Sequence, residues 1–167
     1  MGAARSAGDR GAAAVEFALV VPLLLALMFG IVDYGLWFGD SLNARQGVDQ
    51  GARLAVVNDF SSACTTGSAA QEAACTTKAE ISSLSGATYV RVSVSGPGSK
   101  TNDWSKGAEL LVCAVVKVDG LTGLTPMPDD SLIKSKATKR VEITNVPKTV
   151  TPYADAPPSG ADWSWCT

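Results

Sequence analysis

Two groups of side chains have types and spacings that could support chemistry. The first is Gly11, Ala12 and Glu16 in the run RGAAAVE. If the bond after Gly11 were cut, a free α-amine on Ala12 would lie about one helical turn from the Glu16 carboxylate. An ionised carboxylate in lipid costs a few kcal/mol on insertion scales and needs a partner, and an amine there needs an anion just as much. Glu16 can meet the Ala12 amine of its own chain. Meeting that of a neighbouring subunit instead would fix the axial stagger between two packed helices. The plainer alternative, a solvated Glu16 idle among lipid headgroups, leaves Gly11 at the matching spacing unexplained. The second group is Cys64, Cys75, Cys113 and Cys166. An even number of cysteines, all following an apolar run, reads as two disulfides. Three connectivities are open. We favour a local Cys64–Cys75 clasp with Cys113–Cys166 tying the tail to the domain.

Other chemistry lacks its residues. The chain has no histidine, the commonest general base and a frequent metal ligand. With no CxxC pair either, a zinc site is disfavoured and no metal is expected. GPGSKT at Gly96–Thr101 lacks Walker A spacing and reads as a turn. The serines have no activating partner. Asp129-Asp130 reads as a solvated loop. Fourteen basic and sixteen acidic residues, net charge −2, are interspersed and form no basic stripe for nucleic acid. No catalytic residue and no cofactor is expected; the chain is not read as an enzyme.

The element that must position Glu16 is an apolar helix. Phe17 to Val32 carries no charge and covers roughly 24 Å as a helix; continuing through Tyr34–Phe38 exceeds the ~30 Å of a bilayer core. We expect residues 15–38 to span the membrane, with Tyr34 and Trp37 in the outer aromatic belt. Arg5 and Arg10 precede the span, which keeps the N-terminus cytoplasmic and puts the bulk outside. Pro22 should kink or loosen the helix. Asp33, near the outer interface, is expected to be hydrated, the alternative being a dedicated partner. Pro22 and Asp33 are also candidate helix contacts, and Gly30 and Gly35 permit close helix packing. Beyond the span, Leu42, Arg45, Val48, Ala52 and Val56 recur at helical spacing, so the helix should run from Ala12 to Val57, about 69 Å. Gly47 and Gly51 should weaken it, by up to ~1 kcal/mol each.

The order of basic leader, glycine, small residues, glutamate and apolar helix resembles the processing site of type IV pilin-like proteins. RGAAAVEFALVVPLLL, with a proline soon after the glutamate, is similar to the N-terminus of TadE-like minor pilins of Flp/Tad systems. NARQGVDQGAR resembles their post-membrane helix, and KRVEIT, around Arg140 and Glu142, their closing strand. With the GLTGLTP loop, the resemblance extends from Arg10 to about Thr144. It implies cleavage between Gly11 and Ala12 by a prepilin peptidase, and a role for Glu16 in assembly. It also implies four kinds of partner: the major Flp pilin, other minor pilins, the peptidase and a pilus membrane platform.

The expected fold class is α+β and pilin-like. Residues 1–11 form a removed leader, 12–57 the long helix, 58–146 the extracytoplasmic head and 147–167 a proline-rich tail tethered by a disulfide. In the head, Gln71–Leu84 reads as a short helix. Thr88–Ser95 alternates as a half-buried strand. Glu109–Asp119 is apolar enough for a central strand, and Ser131–Thr144 closes an antiparallel sheet of about three strands. Gly96–Lys106 and Leu121–Asp130 read as loops, and the tail as largely irregular. Trp163 and Trp165 are expected to cover the Cys113–Cys166 bridge, the alternative being an adhesive contact; Trp104 is a candidate exposed contact. The functional expectation is a single-pass minor pilin or pseudopilin. The alternative is a membrane-anchored binding module unrelated to pili.

Overall fold

A computed structural model describes residues 7–60, 62–64, 67–81, 86–96, 100–101, 104–120, 122–123, 126–142 and 150–167, without the side chains of 7–10, 100 and 101. Helix α1 spans Ala7–Val56 without a break and passes through Pro22. It ends where Asn58 takes a left-handed backbone (φ 58°). There Asn58 N–H donates to Ala55 O at 3.2 Å and Asp59 N–H to Leu54 O at 3.0 Å, so the turn satisfies carbonyls that the helix end would leave open. Helix α2, Ala69–Glu80, starts at Ser68, whose side chain accepts from Gln71 N–H. It is shorter than expected because Ile81 is already extended; Ser82–Leu84 lie outside the described residues.

The strands are β1 (Gly86–Gly96), β2 (Lys100–Thr101), β3 (Glu109–Val118), β4 (Leu132–Arg140) and β5 (Tyr153–Ala154). Every pairing is antiparallel: β3 lies between β1 and β4, and β1 also pairs with β2 and β5. β1, β3 and β4 are the three expected strands. The short β2 and β5 fall in segments expected to be loop and irregular tail. Each pairs only two residues against the edge of β1 left open by β3, which is too short a stretch for alternation to signal. The expected closing strand ends at Arg140, and Ile143–Thr144 fall outside the described residues.

Alternation assigns the faces. Val90, Val92 and Val94 of β1 join Leu110, Val112, Ala114, Val116 and Val118 of β3 in one buried cluster. Across from them are Ala44, Val48, Ala52 and Ala55 of α1 and Ala70, Ala73 and Ala74 of α2. These small side chains let both helices lie close to the sheet. The helices themselves approach closely at Gly47 and Gly51. A Cβ on Gly47 would stand 2.8 Å from Ile81 Cα, and one on Gly51 2.7 Å from Thr77 Cα, distances that admit no methyl group. The two glycines therefore do more than weaken α1. Their four-residue spacing places them on one helix face, where they make the groove that receives α2.

Candidate functional site

The exposed part of α1 is its N-terminal half. Gly11 to Val20 is exposed throughout, and the most apolar window, of mean hydropathy 2.5, has no buried residue. Glu16 lies on this surface with Ala13, Phe17 and Val20 around a shallow hollow. Positions 13, 16, 17 and 20 have the spacing of one helical face. The Gly11–Ala12 bond lies inside the helix, and a Cβ on Gly11 would meet nothing within 4 Å. Packing within the fold does not require a glycine there, although glycine costs a helix about 1 kcal/mol relative to alanine.

Burial begins sharply at Asp33. The expectation of a hydrated carboxylate is corrected: Asp33 has no exposed surface. Thr122 Oγ1, 89 positions away in sequence, donates to Asp33 Oδ2 at 2.5 Å. Tyr34 Oη donates to Pro126 O at 2.9 Å. The head thus grips the helix within the stretch 15–38 expected to lie in lipid. From there Asp33, Asp40, Ala44 and Val48 form a buried stripe toward the head, with the half-buried Trp37 among them. On the opposite face a Cβ on Gly35 would meet nothing, and Phe38 and Leu42 remain 60% and 57% exposed. At 100° per residue these positions continue the line of Phe17, Val20, Leu24 and Ile31. An apolar strip therefore extends past the level at which the head begins.

A family model described as TadE-like protein matches residues 11–53. This helix is TadE-like. The match opens at Gly11, takes in Glu16 and the whole exposed apolar strip, and closes at Arg53 of the GAR motif. No curated protein and no solved structure matches the chain.

Two disulfides brace the head that the TadE-like helix carries. Cys64–Cys75 (Cα–Cα 5.6 Å) fastens a 3-10 turn at Ser62–Cys64 to α2. Cys113–Cys166 (Cα–Cα 6.0 Å) fastens the tail to β3. The tail crosses the outer sheet face, where Arg91 and Lys136 flank Cys113 in register. Arg91 donates to Trp163 O at 3.2 Å, and Lys136 Nζ to Thr167 O at 2.9 Å. Trp163 and Trp165 donate their indole N–H groups to Asp155 O and Asp162 O. They are half-buried parts of the tail's own structure beside the bridge. The expectation of an exposed contact at Trp104 is corrected: it is 3% exposed and belongs to the core.

Asp155 carries no local signal in the sequence, lying in a proline-rich tail that reads as irregular. It accepts from Val90 N–H at 2.7 Å, Tyr153 Oη at 2.8 Å and Lys78 Nζ at 2.8 and 2.9 Å. Burial pushes its carboxyl upward, but Lys78, the Val90 amide and Tyr153 together hold it below the usual carboxylate range. The same contact raises Tyr153. Asp49 also lies low, chiefly through its bond from Lys139, and ties α1 to β4 at 2.6 Å while pairing with Arg53 at 2.8 Å. Asp129 and Asp130 are exposed, and Asp129 pairs with Lys134 at 2.8 Å. Among the described residues no group of His, Cys, Asp and Glu is placed to hold a metal.

Proposed function

We propose that this chain is a minor pilin or pseudopilin of a Tad-type pilus, cut after Gly11 by a prepilin peptidase and guided into its assembly by Glu16. The observation that carries this reading is the exposed apolar strip of the TadE-like helix, which continues through Phe38 and Leu42 on the face turned away from the head. A lone anchor needs apolar surface only within the bilayer. A strip that continues beside a folded head suits a helix that packs against other helices outside it. Gly11 supports the same reading, since nothing among the described residues requires a glycine there.

In this reading the basic leader holds the N-terminus in the cytoplasm and the head lies outside, where its disulfides persist. Cleavage removes residues 1–11 and creates the Ala12 amine. Glu16 then meets the Ala12 amine of its own or a neighbouring subunit, and residues 12–57 join a helical bundle drawn out of the membrane. Residues 58–146, with the tail 147–167 fastened on, are displayed outward. The major Flp pilin and other minor pilins supply the neighbouring helices, and a membrane platform drives their movement. Of the tryptophans through which a competing anchored binding module could recognise a ligand, Trp104 is buried and the indole N–H groups of Trp163 and Trp165 are bonded within the tail.

Mass spectrometry of the mature N-terminus tests the proposal. A chain beginning at Ala12 is expected in cells with an active prepilin peptidase, and an intact leader there would overturn it. Glu16→Ala should leave cleavage intact yet block incorporation into pili. Normal piliation in that variant would remove the role given to Glu16.

A further inference from the structure

We propose that the turn containing Thr122, Gly123, Pro126 and Met127 rests on the outer surface of the phospholipid bilayer, as a second membrane contact of the head. The inference depends on α1 being the membrane anchor.

The bare apolar length sets the depth. Gly11 to Val32 is exposed or half-exposed, and Asp33 is sealed by the head. At about 1.5 Å per residue those positions span roughly 33 Å, close to the ~30 Å hydrocarbon thickness. The outer edge of the hydrocarbon then falls near Asp33, five residues before the expected end of the span. The turn is attached at this level, through Thr122 to Asp33 and through Pro126 to Tyr34. Side chains on a helix lean toward its N-terminus. The Tyr34 hydroxyl, and the Pro126 carbonyl it reaches, therefore lie on the membrane side of the Tyr34 backbone.

The composition of the turn suits that position. Between Asp119 and Asp129 the chain is GLTGLTPMP, without a charge. Gly123 and Pro126 are exposed and Met127 is half-buried, so the turn continues the apolar surface of the helix sideways. Charged groups would lose hydration there, whereas proline, methionine and threonine lose little. The contact also accounts for a buried carboxylate at this depth: the turn supplies Asp33 with a donor and shields it from lipid.

The test is spin-label depth measurement on the full chain in phosphatidylethanolamine/phosphatidylglycerol vesicles. Labels go on Leu24→Cys, Pro126→Cys and Ser159→Cys, with both native disulfides formed. Pro126 is exposed and contributes only its carbonyl to the bond with Tyr34, and an unchanged melting temperature checks each labelled chain. The label at 24 should be accessible to oxygen and protected from a water-soluble nickel chelate, that at 159 the reverse, and that at 126 intermediate, at headgroup depth. A label at 126 as chelate-accessible as that at 159, with 24 still protected, would overturn the bilayer contact and leave the turn to a neighbouring subunit. Chelate access at 24 would overturn the anchor itself.

Discussion

Gly51 of α1 lies directly against Thr77 of α2: a Cβ at Gly51 would stand 2.7 Å from the Thr77 Cα. Alanine would improve helix propensity by about 1 kcal/mol but must force the two helices apart. Overpacking of this kind typically costs about 1–3 kcal/mol. Gly51→Ala should therefore lower the melting temperature of the head, whereas Gly35→Ala, in open space, should leave it unchanged or raise it. Circular-dichroism melts of both variants in detergent decide the point; equal effects would refute the close-approach role.

The carboxylate of Asp155 holds the tail and α2 to β1. Because its folded pKa is depressed below the ordinary 3.8, the stability it contributes is fully present above that value and is lost as pH falls through the folded pKa. Asp155→Asn keeps one acceptor oxygen where Val90 and Tyr153 donate to two different ones, and loses the charge opposite Lys78. It should cost about 1.5–3 kcal/mol near neutrality, the range for hydrogen bonds to charged groups. The gap between variant and parent should close as the pH falls below the ordinary 3.8 and through the folded pKa. Denaturant titrations across that range provide the measurement.

The Cys113–Cys166 bridge closes a loop with a sequence separation of 53. By the chain-entropy relation its loss costs about 4 kcal/mol, a drop on the order of 15 °C in melting temperature for a domain of this size. Cys113→Ser with Cys166→Ser should also expose the segment after Val150 to protease while leaving the central strands folded. Limited proteolysis followed by mass spectrometry would locate the first cut; a first cut elsewhere would place the weak point outside the tail.

Thr122→Val removes the hydroxyl that donates to Asp33, and Tyr34→Phe removes the one that donates to Pro126. The first should cost about 1–3 kcal/mol, because it takes a donor from a fully buried carboxyl, and the second about 0.5–1.5 kcal/mol, the net worth of a typical hydrogen bond. The two bonds hold one turn, so the double variant should lose a different amount from the sum of the singles. Strict additivity in a double-mutant cycle would mean that the turn is held elsewhere.

What could be read in the chain alone was local and periodic. An uncharged run from Phe17 to Val32 dictates an exposed apolar helix, because no other element satisfies its backbone in oil. Alternation along Thr88–Ser95 marks a strand with one wet face. Four cysteines after the span lead to two bridges. α1, α2, β1, β3 and β4 all lie close to where these patterns put them. Only the folded chain decided what each buried face meets. Asp33 reads as a hydrated interfacial acid until Thr122, 89 residues away in the connection after β3, is brought against it. Trp104 reads as an exposed aromatic, yet it packs into the core cluster. Gly47 and Gly51 look like defects until α2 fills the groove between them, and the anchoring role of Asp155 exists only once β5 lies along β1. Periodicity reports that a face is covered; the identity of its cover depends on residues distant in sequence, which no local pattern encodes.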